Sequence, residues 1–158
     1  MNNMRFLVMD VDGTLTDGKV YISAEGEWMK AFHIKDGYGI RHLLPAAGIE
    51  PVIITGRTSA ILERRCRELG IERLFQGASD KLSALKEILS REGVSPSETA
   101  FIGDDLNDLP CMEYVNSGGG VTGCPADAVA AVRRTVTYVS SLPGGEGAVR
   151  DFIDRLCG

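Results

Sequence analysis

The chain has 158 residues, a formal net charge of −5 and 44% hydrophobic residues, values typical of an ordinary soluble globular protein. No apolar run approaches the roughly 20 residues that span a membrane, and no basic stretch suits nucleic acid. The four cysteines form no C-x-x-C pair, which argues against a zinc site. A chain of this length with no internal repeat predicts a single domain over residues 1–158. Because the start of the chain does not have the pattern of a signal peptide, we expect the protein in the cytoplasm.

Short apolar runs alternate with helical patterns along the chain. Residues 6–9, 51–54 and 99–102 are continuous apolar runs, typical of strands buried on both faces of a sheet. Helical periodicity fills the intervals, and Gly70 and Gly93 mark two helix ends. The alternation predicts an α/β fold, a Rossmann-like doubly wound parallel sheet with helices on both faces. A last helix is predicted to bury four apolar residues: Val149, Phe152, Ile153 and Leu156.

Residues 19–34 break this alternation and are predicted to form a β-hairpin. Residues 24–27 supply the turn, and residues 28–34 read as the second strand. The segment carries three large apolar side chains, which either pack on their own domain or form a subunit contact. The enrichment of such residues at interfaces favours the subunit contact. These side chains are Trp28, Met29 and Phe32.

Acidic pairs follow two of the predicted strands: Asp10 with Asp12, and Asp104 with Asp105. The carboxyl ends of parallel strands meet at one edge of the sheet, where ligands bind. Carboxylates gathered there repel one another unless a cation is present, and Mg²⁺ prefers carboxylates with water and phosphate oxygens. Two solvated acidic turns are the ordinary alternative. Thr55 and Lys81 at the same edge favour a site for magnesium and a phosphate.

Four segments, in this order, resemble the motifs of the haloacid dehalogenase superfamily. They are residues 10–16, Thr55 after an apolar run, Lys81 beside a helix, and residues 103–108. The resemblance implies the fold of that superfamily and a magnesium-dependent phosphatase. It also implies that Thr55 donates a hydrogen bond to the phosphoryl oxygens and that Lys81 neutralises the nucleophile and the developing negative charge.

The same resemblance implies roles for the acidic residues. Asp10 attacks phosphorus and forms an aspartyl-phosphate intermediate. Asp12 protonates the leaving alcohol and later deprotonates the attacking water. Mg²⁺ would be held by Asp10, the backbone carbonyl of Asp12, and Asp104, with Asp105 as a partner just outside the ligand set.

The intervals between the motifs are too short for a cap domain, so the site is predicted to be open. A capless enzyme with a small substrate needs a neighbouring subunit as its lid. Residues 10–18, 35–40 and 144–150 closely resemble the 3-deoxy-D-manno-octulosonate 8-phosphate phosphatase family. That resemblance implies a homotetramer in which the hairpins meet at the centre. It also implies that the glycine-rich stretch of residues 144–147 approaches a site in a neighbouring subunit.

The resemblance further implies an acidic sugar phosphate as the substrate. Gly56 and Arg57 follow Thr55, and Arg150 lies in the last predicted helix. A guanidinium suits bidentate recognition of an anion, which makes both arginines candidates for binding the substrate's carboxylate or hydroxyls. For Arg57 the alternative is a surface charge, and for Arg150 it is a subunit contact.

Three other functions compete with hydrolysis of 3-deoxy-D-manno-octulosonate 8-phosphate, a step toward lipopolysaccharide. A close rival is hydrolysis of the 9-phosphate of a neuraminate-type nonulosonic acid, which also carries an acid group and a polyhydroxy chain. Another is a non-catalytic oligomerisation module of a cytidylyltransferase system, against which the complete motif set argues. The third is a phospho-signalling receiver. In a receiver the acidic pair follows the first strand and the phosphorylated aspartate lies on a later one, whereas here the Asp10–Asp12 unit comes first and the adjacent acidic pair comes last.

Residues 116–120 depart from the family pattern with a run of glycines before an expected strand. A glycine run is predicted to be mobile and to loosen the strand that follows. It lacks the lysine and the serine or threonine of a phosphate-binding loop, so that reading is weak.

Overall fold

The computed structural model describes residues 3–158, in which short strands alternate with helices. The strands are β1 (Phe6–Met9), β2 (Tyr21–Ser23), β3 (Gly26–Met29), β4 (Glu50–Ile54), β5 (Arg73–Phe75), β6 (Thr99–Ile102), β7 (Val121–Cys124) and β8 (Tyr138–Val139). The helices are α1 (Ile34–Tyr38), α2 (Leu44–Ala46), α3 (Ala60–Leu69), α4 (Lys81–Glu92), α5 (Leu109–Ser117), α6 (Ala130–Thr135) and α7 (Ala148–Cys157). A π-helical turn joins α1 to α2, and 3₁₀ turns precede β6 and α5. In the described range, no helix is long and apolar enough to cross a membrane.

Six strands form one sheet in the order β5-β4-β1-β6-β7-β8, and every pairing in it is parallel. Numbered within the sheet alone, the order is 3-2-1-4-5-6, that of Rossmann-like doubly wound folds, so the predicted fold class is confirmed. The order reverses between β1 and β6, where Met9 lies beside Ile102. A crevice at such a reversal, beyond the carboxyl ends of the strands, is the expected ligand site.

The central strands are buried on both faces because successive side chains point to opposite sides of the sheet. Leu7 and Met9 pack with α3 and α7, whereas Phe6 and Val8 pack with α4 and α5. The apolar stripe predicted for the last helix is confirmed. Its four residues are buried on the first of these faces: Val149, Phe152, Ile153 and Leu156.

Glycine ends two helices as the sequence predicts. Gly70 follows α3 with φ of 71° and Gly93 follows α4 with φ of 64°, a left-handed conformation that other residues rarely adopt. The same conformation recurs at Gly13 with φ of 89°, directly after β1. Backbone freedom at this third position shapes the candidate site described below.

The hairpin is shorter than predicted. Its two strands end at Met29, residues 24 and 25 form the turn, and Ile34 already begins α1. Phe32 is partly buried against the core of its own domain, which is one of the two arrangements that the sequence leaves open. Trp28 in β3 is 67% exposed, as a subunit contact would require. The hairpin forms its own two-stranded sheet and is not paired with the main sheet. Within the described residues it is the strand-forming insertion after β1, and no cap domain is present.

The glycine run after α5 is packed against a neighbouring turn. A Cβ at Gly118 would lie 2.3 Å from Cβ of Pro96, and a Cβ at Gly120 would lie 2.3 Å from the carbonyl oxygen of Pro96. Such separations are too short for any side chain, so glycine is required for close approach. The strand that follows, β7, pairs in register with β6, which is contrary to the expected loosening.

Candidate active site

A buried lysine and two aspartates meet at the carboxyl edge of the sheet. Asp10 directly follows β1, and Lys81 is the first residue of α4. Nζ of Lys81 lies 2.7 Å from Oδ1 of Asp10 and 2.9 Å from Oδ1 of Asp108. Burial lowers the pKa of the Lys81 ammonium, but the two carboxylates outweigh it and the pKa is raised. Lys81 therefore remains a cation in contact with Asp10.

Gly13, in the turn after β1, lies directly against the side chain of Asp104, which follows β6. The N–H groups of Thr14, Leu15 and Thr16 all donate to the carbonyl of Val11, which closes the turn. A Cβ at Gly13 would lie 2.0 Å from Oδ2 of Asp104. The hydroxyl of Thr14 donates to Oδ1 of Asp104 at 3.0 Å. Glycine at position 13 thus makes room for this carboxylate, and Thr14 orients it.

Three carboxylates lie together with one lysine. One oxygen each of Asp10, Asp104 and Asp108 lies within 4.8 Å of the others. Partial burial, which disfavours the charged form, and the neighbouring carboxylates of Asp10 and Asp108 raise the pKa of Asp104 to about 9. Burial and the charge of Asp10 raise the pKa of Asp108 as well, although Lys81 opposes this. A cluster with more negative than positive charge fits a divalent cation with oxygen ligands.

Hydrogen bonds separate the ligand oxygens from the supporting ones. Oδ1 of Asp108 accepts from Lys81, and its Oδ2 accepts from the N–H of Asp104 at 2.9 Å and of Asp105 at 3.3 Å. Both oxygens of Asp108 are therefore occupied. The remaining free carboxylate oxygens belong to Asp10 and Asp104, which are two of the residues predicted to hold the metal.

Asp105 is not brought into the cluster. Its side chain is exposed and accepts from the N–H of Leu106 at 2.7 Å, as a cap of the 3₁₀ turn that leads into α5. Asp108, three residues later, occupies the supporting position that the sequence analysis gave to Asp105. The missed signal is the acidic residue at the third position of this turn, whose carboxylate reaches back to the backbone of Asp105.

Asp12 lies between two cations. Nζ of Lys30 is 2.6 Å from its Oδ1, and Nε of Arg57 is 3.9 Å from its Oδ2. Lys30 and Arg57 also approach Glu27, at 3.2 Å and 3.7 Å. Burial would raise the pKa of Glu27, but hydrogen bonds from Ser59 and Lys30 outweigh it and the pKa is lowered. Lys30 and Glu27 have no local sequence signal, because only the folded hairpin brings them to Asp12.

The residues after β4 lie at the same edge. Thr55 is buried, its N–H donates to the carbonyl of Phe75 at 3.0 Å, and its carbonyl accepts from Ala78 at 3.0 Å. Gly56 is exposed, and the half-exposed Arg57 side chain turns toward Asp12. The structure therefore places Thr55, Gly56 and Arg57 at the same sheet edge as the acidic cluster, and it brings Arg57 to Asp12.

Arg150 has other contacts in this chain. Its Nε donates to Asp154 at 2.8 Å, its N–H donates to Asp36 at 2.9 Å, and its guanidinium lies over the ring of Tyr38. These contacts are with α1 and α7, and the structure does not bring Arg150 to the acidic cluster.

The glycine-rich stretch before α7 approaches the site of its own chain. A Cβ at Gly144 would lie 2.0 Å from the carbonyl oxygen of Gly13, and the N–H of Gly145 donates to the carbonyl of Thr14 at 3.2 Å. The stretch was expected to approach a neighbouring subunit's site. In the single chain it packs against the turn that follows Asp10 and Asp12.

Comparisons with known proteins agree with this geometry. The sequence profile of haloacid dehalogenase-like hydrolases matches residues 40–116. The chain is 45% identical over 154 residues to the 3-deoxy-D-manno-octulosonate 8-phosphate phosphatase KdsC of Escherichia coli strain K12, covering 98% of this chain and 79% of that protein. It is equally similar, at 45% identity, to KdsC of Yersinia pestis, of which it covers 80%.

Solved structures give the same result. The phosphatase of this name from Moraxella catarrhalis, in complex with magnesium ion, phosphate ion and a KDO molecule, matches with a TM-score of 0.91 and 37% identity, over 98% of this chain and 86% of that one. The cobalt-bound form of the Haemophilus influenzae phosphatase matches with a TM-score of 0.91 and 40% identity, over 98% of this chain and 88% of that one.

Proposed function

The chain belongs to the 3-deoxy-D-manno-octulosonate 8-phosphate phosphatase family of the haloacid dehalogenase-like hydrolases, and from this premise we propose that it hydrolyses that same 8-phosphate ester. The family membership makes the chain a phosphatase. The substrate assignment rests on the structural match to the Moraxella catarrhalis enzyme, which was solved with magnesium, phosphate and KDO. That match covers 98% of this chain. The rival substrate, a nonulosonate 9-phosphate, has no comparable support among these relatives.

Asp10 is the proposed nucleophile. One of its oxygens is held by Lys81 at 2.7 Å, so the other is free to attack phosphorus. As the bond from Asp10 to phosphorus forms, the bond to the sugar oxygen breaks and Asp12 gives that oxygen a proton. Water then attacks phosphorus, Asp12 takes the proton back, and the bond to Asp10 breaks. Thr55 donates a hydrogen bond to the phosphoryl oxygens, and Lys81 offsets their negative charge.

Asp10, Asp104 and the backbone carbonyl of Asp12 are the proposed ligands of Mg²⁺. The closeness of the Asp10 and Asp104 carboxylates, the free oxygen of Asp104 and the raised pKa of Asp104 support this ligand set. When bound, the cation supplies positive charge to the phosphoryl oxygens and removes the repulsion between the carboxylates. Asp108 supports the site through its bonds to Lys81 and to the N–H of Asp104.

Arg57 is the proposed partner of the substrate's carboxylate. Its guanidinium is 47% exposed beside Asp12, so it is available to an anion at the rim of the site. Arg150 binds substrate only if it acts on a neighbouring subunit's site. Such a role belongs to the proposed homotetramer, which the exposed Trp28 and Ile22 of the hairpin support. Light scattering after size exclusion tests the assembly, and a monomer at micromolar concentration would rule it out.

Phosphate release from a panel of sugar phosphates, with and without Mg²⁺, tests the function. We expect rapid release from the octulosonate 8-phosphate, little from nonulosonate 9-phosphates, and none after chelation. Asp10→Asn should abolish turnover while the protein remains folded. Faster release from a nonulosonate would replace the substrate assignment. A folded protein that binds Mg²⁺ but releases phosphate from no compound would instead indicate a non-catalytic module.

A further inference from the structure

Lys30 is a buried lysine whose ammonium is held between two carboxylates. It follows β3, its side chain is 4% exposed, and its Nζ lies 2.6 Å from Oδ1 of Asp12 and 3.2 Å from Oε2 of Glu27. A buried ammonium requires paired anions, and both are present here. Because Asp12 lies in the turn after β1, this single side chain ties the hairpin to the proposed acid–base residue.

Glu27 extends this contact to the helix beyond β4. The hydroxyl of Ser59 donates to Oε1 of Glu27. Ser59 is itself fixed, because it caps α3 by accepting from the N–H of Leu62 at 3.1 Å and its own N–H donates to Gln76 at 2.7 Å. The hairpin is not paired with the main sheet. Glu27 and Ser59 therefore link Lys30 to the start of α3.

The two oxygens of Asp12 have unequal neighbours. Oδ1 is in hydrogen-bond contact with Lys30, whereas Oδ2 is 3.9 Å from the half-exposed Arg57. Oδ2 therefore has only the longer contact, with Arg57, and is the oxygen left for the substrate. The second carboxylate on Lys30, Glu27, keeps the ammonium paired when Asp12 carries a proton.

We propose that Lys30 is a positioning residue that holds the Asp12 side chain by Oδ1 and directs Oδ2 at the leaving oxygen of the substrate. This rests on the proposed function, in which Asp12 protonates that oxygen as its bond to phosphorus breaks. Lys30 acts through Asp12 and does not touch phosphorus. The hairpin, which the family resemblance links to subunit contacts, thereby also takes part in the chemistry of its own chain.

A positioning role predicts a dependence on the leaving group. A sugar alkoxide must be protonated as it departs, whereas 2,4-dinitrophenolate departs without a proton. In the first turnover, Lys30→Met should slow release of the sugar alcohol by about 100-fold, the lower end of what general acid catalysis contributes. First-turnover release of 2,4-dinitrophenolate from its phosphate ester should change by less than about threefold. Later turnovers should be slow for both esters, because attack by water also requires Asp12.

Rapid-mixing measurements of the first turnover on both esters test this. Lys86→Met, on the exposed side of α4, is the matched control and should behave as wild type with both. Lys30→Arg, which keeps a cation, should recover part of the lost rate on the sugar phosphate. Equal slowing of both esters would overturn the proposal in favour of a structural ion pair, as would unchanged release of the sugar alcohol. If Lys30→Met does not fold, the two first-turnover rates of Lys30→Arg, one for each ester, are compared in its place.

The wild-type enzyme separates this inference from the proposed function. If wild type does not hydrolyse the octulosonate 8-phosphate but does hydrolyse another alkyl phosphate, the substrate assignment fails and the Lys30 comparison is made on that ester. If wild type hydrolyses the octulosonate 8-phosphate and Lys30→Met slows both leaving groups equally, the function stands and the role of Lys30 falls.

Discussion

Nζ of Lys81 lies 2.7 Å from Oδ1 of Asp10, with 2% of the lysine side chain and 8% of the aspartate side chain exposed. The same ammonium contacts Oδ1 of Asp108 at 2.9 Å. Removing it would leave two buried carboxylates without their cation, which is far less favourable than losing a surface ion pair. Lys81 therefore has two functions, which are to complete the proposed catalytic site and to stabilise the fold around it.

Lys81→Met should abolish turnover and lower the free energy of unfolding at pH 8 by about 3 kcal/mol, the range measured when one partner of a buried pair is removed. Urea denaturation at pH 8 and pH 5 measures the loss of unfolding free energy. The loss should be smaller at pH 5, because the pKa of Asp108 is raised and its carboxylate is more easily protonated there. Lys86→Met, on an exposed helix position, should be near wild type. An equal effect of the two substitutions would contradict the prediction.

Gly13→Ala should reduce divalent-metal affinity and activity together. The new Cβ would lie 2.0 Å from Oδ2 of Asp104 and must displace that carboxylate. We expect about a 10- to 100-fold loss of metal affinity, as when the support of a ligand is removed. Titration calorimetry with Mg²⁺ measures it.

Gly48→Ala is the matched control for Gly13→Ala. Gly48 also has a positive φ, of 74°, but no heavy atom lies within 4 Å of its hypothetical Cβ. Both variants carry the backbone strain of a side chain at positive φ, and only Gly13→Ala disturbs Asp104. Similar Mg²⁺ affinities for the two variants would show that displacement of Asp104 is not the cause.

The fold could be predicted from the sequence because its signals are local. The three central strands, β1, β4 and β6, coincide with apolar runs, and Gly70 ends its helix by a conformation that its own residue type permits. The sequence also predicts that the motif residues Asp10 and Lys81 lie at the site, because they lie beside such elements. Asp108 has the local turn signal described above, but its bond to Lys81 forms only when two strand ends meet. Lys30 has no such signal, since it reaches Asp12 only when the hairpin folds. Glu27 was missed for the same reason.

Arg57→Met should raise KM for an acidic sugar phosphate by about 10- to 100-fold, the effect of losing a hydrogen bond to a charged group. A sugar phosphate that lacks a carboxylate should show no such change, so the ratio of the two KM values is the measurement. Arg64→Met is the control, because Arg64 is a solvent-exposed residue of α3 paired only loosely with Glu68. A parallel rise for both substrates would indicate that Arg57 acts through Asp12 and not on the carboxylate.

Asp36→Asn should stabilise the protein above pH 6 and leave it nearly unchanged at pH 4. Burial raises the pKa of Asp36 from 3.8 to about 6, and its Oδ2 has no hydrogen-bond partner. The native state therefore holds this proton more tightly than the unfolded chain does, so wild-type stability falls as the pH rises from about 4 to about 6. Asparagine has no charge to bury and retains the oxygen that accepts from the N–H of Arg150.

The difference in unfolding free energy between Asp36→Asn and wild type should grow by about 3 kcal/mol from pH 4 to pH 7, since each unit of pKa shift corresponds to about 1.4 kcal/mol. Denaturant titrations at several pH values give this difference directly. Asp154→Asn, at an exposed position of α7, removes a carboxylate that is not buried and should run parallel to wild type. If the Asp36→Asn curve also ran parallel, the Asp36 carboxyl would have its ordinary pKa in the fold. The effect of burial on the pKa of Asp36 would then be offset by solvent or by the charge of Arg65, whose Nε also lacks a hydrogen-bond partner.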